Sequence, residues 1–126
     1  MDKLLQQERL EFVPSNGSFD IHAVAAVIAR LGFSFRDEAD PTMFVVSPDS
    51  ESCDIFQTRR REDPETAFPY VLLIKTELAR ITVWTSAIPG VEPLTAEFLH
   101  WLLANCSCRI TNEEGTDVTE FASQAA

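Results

Sequence analysis

Few side chains in this sequence could do chemistry, and most of them are clustered near its end. Cys106 and Cys108 stand two residues apart, His100 lies just upstream, and Cys53 is the third thiol. Residues i and i+2 of a strand share a face, so the pair could join Cys53 and His100 around a metal ion. Alternatively, His100 could act as the base for a Cys106 nucleophile. The spacing matches no zinc knuckle, and no Asn or Asp is placed to orient the histidine. Three thiols are also too few, and of the wrong parity, for a disulfide framework. The expectation is therefore reduced cysteines that pack as small apolar residues, with no metal and no cofactor. Cys106 with His100 remains the reactive pair of an alternative reading, a small enzyme.

Arg59-Arg60-Arg61 is a basic run in an acidic chain. Arginine forks grip phosphate and carboxylate bidentately, so the run is the candidate site of an anion-ligand-binding domain, the other half of that alternative. Glu62, Asp63 and Glu65 follow at once, and local neutralisation is the simpler account. Asp37-Glu38-Ala39-Asp40 spells a helicase signature, but the phosphate-cradling glycine loop that would give it meaning is missing. A solvated turn closed by Asp40-Pro41 accounts for it. Glu113, Glu114, Asp117 and Glu120 gather near the C-terminus without a base among them. They lack the register of an EF-hand loop. Glu113, Glu114 and Asp117 are instead candidate contacts for a basic protein partner.

The whole chain leans the same way. Twenty acids against ten bases leave a net charge of −10, the wrong sign for nucleic acid or an anionic membrane surface. No apolar run is long enough to span a bilayer. With the reduced thiols, this predicts a cytoplasmic protein.

The elements that must position these residues are organised around a hairpin. Residues 70–75 alternate with apolar side chains on both faces, which predicts a central strand covered on both sides. Residues 80–85 alternate apolar with polar and form the second arm, joined through a turn at 76–79. Upstream, residues 9–14 read as a strand. Residues 21–31 read as a helix capped by Asp20. Gly32 is its left-handed terminator, with Phe33 folding back on it. Residues 33–35 start a strand and 43–47 form another. After a turn at 48–52, residues 53–59 return as a strand and 60–67 form a loop. Pro93 opens a second helix that ends near Asn105. Residues 106–111 are a last strand, 113–115 a turn, and 116–121 a short return.

The predicted fold is a single α+β domain over residues 8–121, with flexible termini at 1–7 and 122–126. It is a two-layer sandwich, a largely antiparallel sheet with two helices on one face. That leaves a mismatch. The central strand is apolar on both faces, and the second helix carries Leu94, Phe98, Leu99, Trp101, Leu102 and Leu103 around much of its circumference. Two helices on one face cannot cover all of this, and uncovered apolar area marks interfaces. Tyr70, Trp84 and Trp101 are therefore candidate contacts with a second copy or another protein. The functional expectation is a non-enzymatic acidic protein-interaction domain. Its size and charge parallel immunity-type inhibitors and secretion chaperones, an analogy of class that no motif here carries.

Overall fold

The computed structural model of the chain describes residues 2–63, 70–86 and 88–123. In chain order the elements are α1 (Asp2–Leu5), β1 (Arg9–Pro14), α2 (Ile21–Ile28), β2 (Phe33–Arg36), β3 (Met43–Ser47) and α3 (Ser50–Glu62). They continue with β4 (Leu72–Thr76), β5 (Ile81–Trp84), α4 (Glu92–Asn105), β6 (Cys108–Asn112) and α5 (Glu120–Ser123). The six strands form one antiparallel sheet in the order β2-β3-β4-β5-β1-β6. The α+β class and the antiparallel sheet are as expected.

The hairpin sits inside the sheet, in the register Leu73↔Trp84 to Thr76↔Ile81, and turns at Glu77–Arg80. One correction falls on Tyr70. It precedes β4 and is exposed, so it is not part of the central strand. Leu10, Phe12, Phe44, Val46, Leu72, Ile74, Ile81, Val83 and Ile110 all point to one face, where Val24, Val27 and Ile28 of α2 and Phe98, Leu99 and Leu102 of α4 meet them in the main core. The two predicted helices thus share a face. Residues 2–5 take a helical turn that sends Leu4 into the same core.

α2 is capped as expected, with the Asp20 carboxylate accepting from the Ala23 N–H at 3.1 Å. It stops at Ile28, before the predicted Leu31, and unwinds through single turns at Arg30 and Leu31. Gly32 is not a left-handed cap. Among the described residues positive φ occurs only at Gly17 and Gly115. Glycine is required at position 32 by proximity, since a Cβ would lie 2.8 Å from the Ser47 carbonyl oxygen of β3. Phe33 does not fold back on α2. It is 53% exposed, and its pairing with Ser47 puts it on the opposite face of the sheet.

The largest correction is α3. The strand expected over 53–59 and the start of the loop expected over 60–67 belong to one helix of 13 residues that ends at Glu62, and residues 64–67 of that loop lie outside the described residues. Asp49 caps it by accepting from the Ser52 N–H at 2.7 Å, and Arg59, Arg60 and Arg61 lie in its last turn, where the helix dipole favours cations. Phe56 is its one fully buried residue, so no apolar stripe revealed it. Phe56 packs with Val45, Val71, Phe35 and Leu73, the residues that alternate with those of the main core. α3 therefore lies on the second face, over β2, β3 and β4. The other half of that face carries Arg9, Glu11, Thr82 and Thr111, with Arg80 3.9 Å from Glu11. Its polarity explains why no helix among the described residues covers it. Much of the predicted mismatch is thus resolved within the chain.

Candidate functional site

The two edges of the sheet are treated differently. At the β6 edge, the segment after the Gly115 turn folds back. The Val118 N–H donates to the Ile110 carbonyl at 2.8 Å, the Ile110 N–H donates to Thr119 Oγ1 at 2.9 Å, and the Asn112 N–H donates to the Thr116 carbonyl at 3.0 Å. At the β2 edge nothing equivalent happens among the described residues. The Asp37 N–H reaches back to the Met43 carbonyl, which with the pairs Phe33↔Ser47 and Phe35↔Val45 sets the hydrogen-bonding phase. The backbone groups of Phe33 and Phe35 face β3, and those of Ser34 and Arg36 face outward. Among the described residues no group bonds to them.

Beside that open edge, α3 and the end of β2 enclose a cavity of about 180 Å³ lined by Phe35, Asp37, Glu38, Ala39, Phe56, Gln57, Arg60 and Arg61. Its floor is the tilted pair Phe35–Phe56, ring centroids 6.2 Å apart. Its wall is an ion pair between Arg60 Nη2 and Asp37 Oδ2 at 3.1 Å, in which Asp37 is 5% exposed. Arg60 Nε is buried and has no hydrogen-bond partner among the described residues. The first letter of the helicase-like string is therefore a buried structural acid. The last, Asp40, holds the β2–β3 turn by accepting from the Thr42 N–H and Oγ1 at 3.0 and 2.6 Å and pairing with Lys75 at 3.2 Å. The Thr42 hydrogen bonds, more than Lys75, hold its carboxyl below the usual range.

The residues singled out from sequence are dispersed over the fold. Of the arginine run, Arg60 is tied to Asp37, Arg61 lines the cavity, and Arg59 borders a separate shallow surface with Ile55. Trp101 is half-buried on α4 against the main core. Trp84 is half-buried at the end of β5, between Leu73 and Arg9 on the second face. Tyr70 is exposed. Glu113 accepts from the Glu8 and Arg9 N–H groups at 3.1 and 3.4 Å, stapling β1 to the C-terminal turn. Backbone hydrogen bonds, its own first, lower its pKa. Asp117 accepts from the Thr119 hydroxyl at 2.6 Å, which lowers its pKa, while Glu114 is exposed. Two of these acids thus fasten the backbone.

Among the described residues no three His, Cys, Asp or Glu side chains gather as metal ligands, and the cysteines are free thiols. His100 is exposed on α4, and Cys106 is the residue that terminates it. Burial pushes the pKa of all three thiols up, Cys108 to about 11. That is opposite to what a nucleophilic cysteine needs.

Phe33, Ser34, Asp37, Phe56 and Gln57 were not anticipated as site residues. The Asp49 cap and the basic last turn were the available signals for α3, and with them for the cavity. No family model, curated protein or solved structure matches the chain. No helix among the described residues is long and apolar enough to cross a membrane.

Proposed function

We propose that this chain is a non-enzymatic protein-interaction domain that works through main-chain and side-chain contact at one sheet edge. The observation that carries the reading is the asymmetry of the two edges. β6 is closed by the chain's own C-terminal segment, whereas β2 offers backbone groups that are unpaired among the described residues, next to a small cavity floored by Phe35 and Phe56 and walled by charged side chains. An exposed edge with an adjacent side-chain pocket suits strand addition, in which backbone bonds give affinity and the pocket gives specificity. The raised thiol pKa values and the dispersed candidate groups weigh against the small-enzyme alternative. Engagement of Arg60 by Asp37 weighs against an anion clamp. The inhibitor-like or chaperone-like roles that the acidity suggests are sub-classes of this proposal.

Comparative affinity capture tests the proposal, with wild type and Ser34→Pro as baits, because the proline removes an outward N–H. A protein, the chain itself included, held by wild type and lost by a folded Ser34→Pro supports the reading. Partners retained equally by both, or a saturable shift in melting temperature with phosphate that disappears in Arg61→Ala, would replace it.

A further inference from the structure

We infer that the β2 edge is a self-recognition site, at which a second copy of this chain adds its own β2 antiparallel and places Phe33 against the cavity of the first. This rests on the interaction reading and names its partner. The register follows from the phase of the edge. Only Ser34 and Arg36 within β2 point their backbone groups outward, so the arrangement that uses both, and nothing outside the strand, pairs Ser34 with Arg36 of the second copy. Two such pairs give four main-chain hydrogen bonds about a two-fold axis through Phe35.

The side chains then fall into place. Phe33, Phe35 and Asp37 share the second face of the sheet, because Phe33 pairs with Ser47 and Phe35 with Val45, whose neighbours carry α3. Pairing Ser34 with Arg36 sets Phe33 of the second copy opposite Asp37. It arrives beside the cavity that Phe35, Asp37, Phe56 and Arg60 line. Phe33 is 53% exposed in the single chain, a large apolar ring about half uncovered. The two copies would bury it twice. Arg36, the charge that would otherwise blunt an edge strand, is turned away from it. Its guanidinium lies 4.6 Å from the Phe44 ring centroid and donates to the Pro41 carbonyl at 3.0 Å.

Charge favours this location. Two chains of net charge −10 repel each other over most of their surfaces. Around the cavity Arg60 and Arg61 balance Asp37 and Glu38, so it is a locally neutral region where acidic copies can approach. The contact is small, which predicts a reversible dimer of micromolar order, strengthened by moderate salt as the long-range repulsion is screened.

Sedimentation equilibrium and light scattering from about 1 µM to about 1 mM test the inference. The wild type should rise reversibly to twice its chain mass and stop there. Phe33→Asp should weaken the dimer by about thirtyfold or more, the scale of an aromatic interface anchor. Ser34→Pro should abolish it. Leu78→Asp, at an exposed site in the β4–β5 turn, should leave it intact. A measurement on the unaltered chain guards against variants that fail to fold: hydrogen exchange at the Ser34 and Arg36 amides should slow as concentration rises. A monomer throughout the range, a dimer that survives both edge substitutions, growth beyond two copies, or exchange independent of concentration would each overturn self-recognition. If the chain stays monomeric while Ser34→Pro still loses a captured protein, the second copy is wrong and the interaction reading stands. If neither assay shows edge-dependent binding, both fall.

Discussion

The Asp37–Arg60 pair joins the end of β2 to α3 across an otherwise apolar contact. Burying an ion pair gives little net stability, but removing one partner strands the other away from water. Arg60→Met should therefore destabilise the fold by about 3 kcal/mol, read as a shift in the urea midpoint. The double variant Asp37→Leu with Arg60→Met should lose less than Arg60→Met alone. Equal or greater loss in the double variant would show that the pair contributes more than mutual neutralisation. At Cys108 the chemistry runs the other way. With its pKa pushed from 9.0 to about 11, chiefly by burial, it carries about a hundredfold less thiolate near pH 8 than an unperturbed cysteine. Alkylation by iodoacetamide should be slower in proportion. Between 9.0 and about 11 the native state holds the proton that the unfolded chain releases. Stability should be complete below that window and fall as pH rises through it, with a shallower fall in Cys108→Ala.

Among the elements, α3 depends most on few interactions. Its helix is polar, its cap is a single carboxylate, and its hold on the sheet is largely Phe56. Asp49→Ala should cost about 1 kcal/mol through the lost cap. Phe56→Ala should cost about 3–5 kcal/mol, as truncations of buried phenylalanine do. Helicity should fall with α3 if it detaches, which far-UV circular dichroism would detect together with the unfolding midpoint. Unchanged stability in Phe56→Ala would mean that other contacts hold α3 on the sheet. This element was illegible as a helix because periodicity detects stripes, and one buried ring among charged residues makes none. α2 and α4 were legible because they bury several residues each at helical spacing.

At the scale of the molecule, acid sensitivity should come from groups that fasten turns. Asp40, Glu113 and Asp117 all have folded pKa values below their ordinary ones, because backbone and hydroxyl donors bond the charged form. The unfolded chain therefore binds more protons at low pH. The stability these groups supply is present above the ordinary values of 3.8 and 4.5 and lost as pH falls below them. Thermal melts from neutral pH downward should show that loss, and Asp40→Asn should flatten it. An acid limb of the same slope in Asp40→Asn would place the sensitivity elsewhere. The net charge of −10 acts separately, and added salt at neutral pH should raise the melting temperature by screening it.

Local pattern by itself marked the six strands of the sheet, along with a false one over 53–59, and two of the helices with the face they share, because alternation of period two and spacing near 3.6 are properties of a few adjacent residues. It also determined the acidity and the lack of a recognisable catalytic motif. Tertiary structure decided what lies on the second face, since a helix with a single anchor is held by what it meets and not by its own pattern. It decided that Gly32 serves a close approach to Ser47, and that Glu113 and Asp117 fasten backbone. It also decided which edge stays open. Strands β2 and β6 read alike as short segments. The return of residues 116–119 along β6 follows from the adjacent turn at 113–115 and was legible locally, whereas the placing of β2 and β6 at the two edges is set by the strand order of the whole sheet.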